Sequence, residues 1–94
     1  MKTAEYKRYR INTDKIVWRH LDGETVLLNL DSGHYYNLNK TGSLIWILLS
    51  EKKTAQEAIQ RISQKYHISP RRAAHDFDEM VESLQGEGLL AIEN

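Results

Sequence analysis

Histidine and serine residues are present in this 94-residue chain, but their spacing does not assemble a catalytic or metal site. No two of the four histidines have the one-residue or three-residue separation by which a single strand or helix holds a metal. The serines lack an adjacent base or a nucleophile-elbow context. Because the chain contains no cysteine, it has no thiolate nucleophile or thiolate ligand. The sequence therefore predicts neither a catalytic residue nor a metal or cofactor site.

Two further patterns that resemble enzyme motifs have simpler explanations. Gly86-x-Gly88 follows a predicted helix rather than a strand, which indicates a helix stop and not a dinucleotide-binding loop. Four carboxylates near the C-terminus fall on an exposed helix face, whereas acid–base pairs need a pocket with two different environments: Asp76, Asp78, Glu79 and Glu82. We therefore expect a protein that is not an enzyme.

The composition of the chain and the distribution of charged residues along it limit the classes of protein to which it can belong. The longest apolar run, Leu44–Leu49, is far shorter than the roughly 20 residues of a membrane span, and the N-terminus lacks a signal-peptide core. With no cysteine, the chain fits a reducing compartment. Residues 1–20 carry six Lys or Arg against two Asp or Glu, whereas six acidic residues and no Lys or Arg follow residue 72. We expect a soluble cytoplasmic protein that binds neither membranes nor nucleic acid.

Alternating apolar and polar residues predict three short strands joined by two glycine-containing turns. The meander leaves its first or third strand at a sheet edge. Residues 1–14 follow no such period and are predicted to form a loosely ordered arm ahead of a single domain, residues 15–94. The predicted strands are Lys15–Leu21, Glu24–Leu30 and His34–Leu38.

Three helices follow the strands. Lys40–Ser50 is apolar almost all round, which is typical of a central, covered helix. A capping box, Thr54-x-x-Glu57, begins a second helix that reaches about Lys65, and Ser69-Pro70 begins a third that ends near Gln85. The last apolar run, Leu89–Ile92, is compatible with a returning strand or with simple packing on the core.

A helix pair, a third helix and a small sheet together predict an α+β fold of the winged helix-turn-helix type. DNA binding is the usual function of that fold, and a winged-helix regulator is therefore an alternative hypothesis. The third helix argues against it: Arg71 and Arg72 are followed by acidic residues, which repel phosphates instead of neutralising them.

The stretch Gly33–Trp46 favours a different role, because it joins an aromatic strand directly to the apolar helix, with Asn39 as the predicted helix cap. A strand at a sheet edge has unpaired N–H and C=O groups, onto which a peptide can add as a further strand. The sequence thus indicates a peptide-binding protein.

Three segments make the chain similar to the PqqD family, over residues 15–92: LDGETVLLNLDSGHYYNLNKTGSLIW, TAQEAI and DFDEMVESLQGEGLL. The resemblance implies a RiPP recognition element, a winged helix-turn-helix module that binds the leader segment of a ribosomally made precursor peptide. In that family the leader adds as a strand to the third strand, packs on the third helix and is presented to a maturation enzyme. Ile45-Trp46 and Gly33-His34-Tyr35-Tyr36 look more like the stand-alone elements of lasso-peptide clusters, whose partner is a separate leader peptidase of transglutaminase-like fold. A pyrroloquinoline-quinone or other radical-SAM pathway is the alternative.

The resemblance also implies the peptide-contacting residues of this chain. The strand would contribute His34, Tyr35, Tyr36, Asn37 and Leu38, and the helix would contribute Arg72, Asp76, Phe77 and Met80. Phe77 and Met80 fit a pure core role equally well, and the outer of the two tyrosines fits a half-buried sheet position. Arg72 and Asp76 are four residues apart and could simply pair with each other. A monomer and a strand-exchanged dimer both remain compatible with an open edge.

Overall fold

Two small antiparallel sheets and three helices make up the computed structural model, which describes residues 7–93. One sheet has the strand order β2–β3–β4 and the other pairs β1 with β5. The three-stranded sheet followed by three helices confirms the predicted α+β fold. The elements are β1 (Arg8–Ile11), β2 (Ile16–Leu21), β3 (Glu24–Asn29), β4 (Tyr35–Leu38), α1 (Lys40–Ser50), α2 (Ala55–Tyr66), α3 (Pro70–Gly86) and β5 (Leu90–Glu93).

The N-terminal segment differs from the loosely ordered arm predicted for residues 1–14. Arg8–Ile11 form β1, which pairs with β5 in a register that sets Tyr9 opposite Ile92. Tyr9 is only 6% exposed, and its ring packs edge-on against Phe77 with centroids 6.0 Å apart. The strand depends on a partner at the other end of the chain, so no local period marks it. Residues 1–6 of the predicted arm lie outside the described residues.

Helix α1 lies at the centre of the core, as its apolar residues predict. Ile45, Trp46, Leu48 and Leu49 are each at most 2% exposed. Leu27 from β3 and Phe77 from α3 belong to the same cluster. Because α1 packs against β3, β4 and α3, it fixes the position of the three-stranded sheet relative to α3.

The helices begin at the caps that the sequence predicts. The Gly42 N–H donates to Asn39 Oδ1 at 2.8 Å, and the Arg72 N–H donates to Ser69 Oγ at 3.1 Å. Thr54 and Glu57 form the reciprocal capping box. Since Asn39 alone separates β4 from α1, the strand and the helix are held in a fixed relative position.

Among residues 7–93, no helix is both long enough and apolar enough to cross a bilayer.

Docking of β1 onto the core can be tested by truncating Tyr9. We expect Tyr9→Ala to lower the free energy of unfolding by about 3 kcal/mol, because it removes a buried ring and leaves a cavity against Phe77. Urea denaturation followed by circular dichroism measures this change. Arg10→Ala, at the exposed neighbouring position of the same strand, should change stability by no more than about 0.5 kcal/mol. Equal effects of the two variants would contradict the docked strand.

Candidate peptide-binding groove

One edge of β4 has no strand partner within residues 7–93, because β4 pairs only with β3. On the paired side, the Asn29 N–H donates to the His34 carbonyl oxygen at 2.9 Å. Hydrogen-bonded and non-hydrogen-bonded positions alternate along an antiparallel pair. The backbone N–H and C=O groups of Tyr35 and Asn37 therefore point away from β3, toward the open edge.

The side chains of β4 divide between the two faces of the sheet. Tyr36 and Leu38 are partly buried and pack against the core cluster. Tyr35 and Asn37 lie on the outer face, where Tyr35 is 64% exposed. Tyr35 is thus the outer tyrosine of the pair, and Tyr36 is the one directed at the core.

A groove of about 950 Å³ lies between β4, the first turns of α1 and α3. Its apolar lining comes from all three elements: Leu38, Ile45, Met80 and Leu84. Its charged lining comes from α3 alone: Arg72, Asp76, Glu79 and Glu82. The groove therefore combines an apolar surface with a predominantly acidic wall, directly beside the open edge of β4.

The structure brings together six of the nine residues predicted to contact a peptide. These six line the groove: Tyr36, Asn37, Leu38, Arg72, Asp76 and Met80. His34 lies beside the groove, with its ring 5.2 Å from that of Tyr36, and Tyr35 faces the other side of the sheet. Phe77 is 0% exposed and lies on the core-facing side of α3 against Tyr9, so of its two predicted roles the structure supports the core role and not peptide contact.

Several groove residues were not predicted from the sequence. Glu79 and Ser83 follow Asp76 and Met80 at helical spacing, so the period of α3 would have indicated them. Gly42 allows the first turn of α1 to approach β4 closely: a Cβ at this position would lie 3.3 Å from Asn39 Oδ1 and 3.4 Å from Leu38 Cβ. No local sequence signal marks that approach.

The charged side chains of the groove are largely unpaired within residues 7–93. Arg72 and Asp76 do not form the mutual ion pair that their spacing allows, since the salt bridges of these residues are Lys15–Asp31, Lys52–Glu93 and His75–Glu79. The His75–Glu79 contact measures 3.6 Å and is exposed, so it is weak. Asp76 and Arg72 are thus available to a ligand.

Tyr36 stands at one end of the groove in an environment that disfavours its phenolate. Loss of hydration, together with the nearby Glu87 carboxylate, raises the pKa of Tyr36 to about 12. Within the described part of the chain, the Tyr36 hydroxyl has no hydrogen-bond partner, so we attribute the effect of Glu87 to its charge. Tyr36 is accordingly neutral at physiological pH.

No group of three or more His, Asp or Glu side chains among residues 7–93 is placed to hold a metal ion. What the groove does offer is outward-pointing backbone groups, apolar contacts and charges.

Comparison with known proteins gives one family and two similar solved structures. The family model described as "Coenzyme PQQ synthesis protein D (PqqD)" matches residues 24–90. The structure "TbiB1 in Complex with the TbiA(beta) Leader Peptide" is 34% identical, with a TM-score of 0.79 over 86% of this chain and 93% of that chain. "Lasso peptide synthetase B1 complexed with the leader peptide" is 28% identical, with a TM-score of 0.78 over 88% of this chain and 96% of that chain. Among curated proteins, no sequence matches.

The environment of Tyr36 predicts a specific pH dependence of stability. The pKa of Tyr36 is about 12 in the folded chain against an ordinary value of 10.0, so between these two pH values the unfolded chain releases a proton that the folded chain keeps. The free energy of unfolding should therefore decrease as pH rises through this window. In the Tyr36→Phe variant this decrease should be smaller, because the titrating hydroxyl is absent. Urea midpoints of both proteins from pH 9 to 12 measure the difference. Parallel curves for the two proteins would contradict the assigned environment.

Proposed function

The chain belongs to the PqqD family, and on that premise we propose that it is a non-catalytic protein that binds the leader segment of a ribosomally synthesised precursor peptide. The leader adds as a strand along β4 and is presented to a maturation enzyme. We favour lasso-peptide biosynthesis, with a leader peptidase as the enzyme. A radical-SAM enzyme of a pyrroloquinoline-quinone or related pathway is the alternative partner.

The two similar structures support the ligand class. Each is described as a complex with a leader peptide, and one protein is named as a lasso peptide synthetase component. The identity of 34% over most of both chains supports a shared fold and a shared binding mode. Because a ribosomal precursor is made in the cytoplasm, we propose that compartment for the encounter.

The observation that carries the proposal is the open edge of β4 beside the groove. The outer edge of β2 is also unpaired within residues 7–93, but it does not border the groove. At β4, the outward groups of Tyr35 and Asn37 bind the backbone of an added strand, and the groove takes every second side chain of that strand. Backbone pairing provides affinity for any extended peptide, and the groove provides selectivity.

The energetics suit reversible delivery. Each added backbone hydrogen bond contributes about 0.5 to 1.5 kcal/mol net. Two or three buried apolar side chains of the peptide add about 1.5 to 3 kcal/mol each. Association itself costs roughly 4 to 15 kcal/mol, so the surplus corresponds to nanomolar-to-micromolar dissociation constants. A peptide held at this strength is retained long enough for handover and is released afterwards.

Direct titration tests the proposal. A synthetic, fluorescein-labelled TbiA(beta) leader peptide is titrated with the protein, and the protein is also used to select binders from a displayed library of random peptides. We expect saturable binding of the leader or of enriched peptides at micromolar concentrations or below. Failure of both probes at tens of micromolar would overturn the proposal. A salt-dependent shift of duplex DNA would instead favour a winged-helix regulator.

Proline at position 37 tests strand addition at β4. Asn37→Pro removes an N–H that does not bond to β3, so the fold should survive while the edge loses a donor and gains a bulky ring. We expect the dissociation constant of the best peptide to rise by about tenfold or more, measured by fluorescence anisotropy. Asn37→Ala, which keeps the N–H, should lose clearly less affinity.

The matched control for this substitution is His20→Pro on β2. The Leu30 N–H donates to the Lys15 carbonyl oxygen at 2.8 Å, so by the same alternation His20 directs its backbone groups to the outer edge of β2. His20→Pro therefore places the same ring on the edge that the proposal does not use, and His20→Ala accounts for the lost contact of the His20 ring with the Thr25 hydroxyl at 2.8 Å. Equal loss of affinity in His20→Pro and Asn37→Pro would contradict strand addition at β4.

A further inference from the structure

We propose that the groove selects its peptide by the side chains at every second position. A basic side chain of the peptide contacts Asp76, and an apolar side chain two residues away in one direction contacts Met80. Arg72 disfavours a basic side chain two residues away in the opposite direction. This proposal rests on the proposed function and specifies the class of segment that the groove takes. It concerns the side chains on the groove side of the added strand only.

The spacing of the groove-facing residues on α3 matches the repeat of an extended peptide. Arg72, Asp76 and Met80 follow one another at intervals of four residues, and all three line the groove. Four residues of an α-helix rise about 6 Å. Every second side chain of a strand lies on the same face and recurs about every 6.6 Å. A peptide lying along α3 therefore brings successive groove-facing side chains to successive positions of the helix.

Asp76 is the carboxylate best placed to select a base. It is half-buried on the groove wall, and no cation within residues 7–93 lies in ion-pair range of it, although Arg72 is one turn away. Glu79 is partly engaged by His75 and, at 69% side-chain exposure, is largely hydrated. A half-buried carboxylate without a partner has lost hydration that a cation can replace, and a charge-assisted hydrogen bond is stronger than a neutral one. A Lys or Arg of the peptide thus gains most at Asp76.

The next position along the helix selects an apolar side chain. Met80 is partly buried and borders the same groove as Leu38, Ile45 and Leu84. The flexible thioether of Met80 can adapt to side chains of different shape. The peptide residue between the basic and the apolar positions points to the outer face of the sheet, on the side of Tyr35, so α3 does not contact it. We therefore expect wide tolerance at that intermediate position.

Peptide selection with three proteins tests the proposal. The wild type should enrich, from a displayed library of random peptides, segments with Lys or Arg at one position and an apolar residue two positions away. Asp76→Lys should enrich Asp or Glu at the former position and keep the apolar residue. Asp78→Lys is the matched control, because it makes the same charge change on the same helix at an exposed residue that does not line the groove. It should select the wild-type pattern.

A double-mutant cycle with the most enriched peptide measures the contact itself. Asp76→Asn and a Lys→Gln or Arg→Gln change in the peptide should each weaken binding by about tenfold, and the two together should weaken it little further. The loss should shrink at about 0.5 M salt, because screening reduces a partly exposed ion pair. Circular dichroism confirms that each variant is folded.

The possible outcomes separate this proposal from the proposed function. Enriched peptides without an alternating base, or the same change of pattern in Asp78→Lys as in Asp76→Lys, overturn charge selection and leave peptide binding intact. Additive losses in the double-mutant cycle also overturn the contact with Asp76. Absence of any enriched peptide with the wild type overturns the proposed function and this inference together.

Discussion

Buried backbone N–H and C=O groups are almost always bonded, by protein or by water, and within residues 7–93 strand β4 has a strand partner on one side only. Its paired side is fixed by β3, and its position relative to the helices is fixed by Asn39, the single residue between β4 and α1. The open side is therefore held rigidly at the mouth of a groove and is not free to fold back onto the core. This arrangement leaves the outward backbone groups of a four-residue strand directly beside the groove.

Helix α3 serves the core and the groove with different faces. Its buried residues recur at three and four positions and include Ala73, Phe77 and Val81. Its groove residues, which include Arg72, Asp76 and Met80, also recur at helical spacing, but they lie on a different side of the helix from the buried residues. Because the core face is apolar and the groove face carries all the charged side chains that line the groove, the same helix that anchors the fold also gives the groove its electrostatic character. The acidic side chains of this face would repel a phosphate backbone.

The parts of the fold that depend on local chemistry were predictable from the sequence. The Thr54 capping box and the Ser69-Pro70 start are examples, because a cap involves residues three positions apart. Strand β1 was missed because its partner, β5, is about 80 residues away in the sequence, and only tertiary pairing stabilises it. The different burial of Phe77 and Met80 was not predictable for a related reason: both are apolar residues at helical spacing, and their burial depends on how α3 is rotated against β1 and α1. Sequence periodicity gives the faces of a helix, but neighbouring elements decide which face is covered.

The pairing of β1 with β5 also determines how this domain can be built into larger proteins. Arg8 and Glu93 are opposite each other in the two-stranded sheet, so the chain enters and leaves the domain at adjacent points. Neither strand contributes a lining residue to the groove. Another polypeptide could be joined at either point, or the whole domain could be inserted into a longer chain, without altering the groove. The architecture is therefore compatible with attachment of a further domain at either strand.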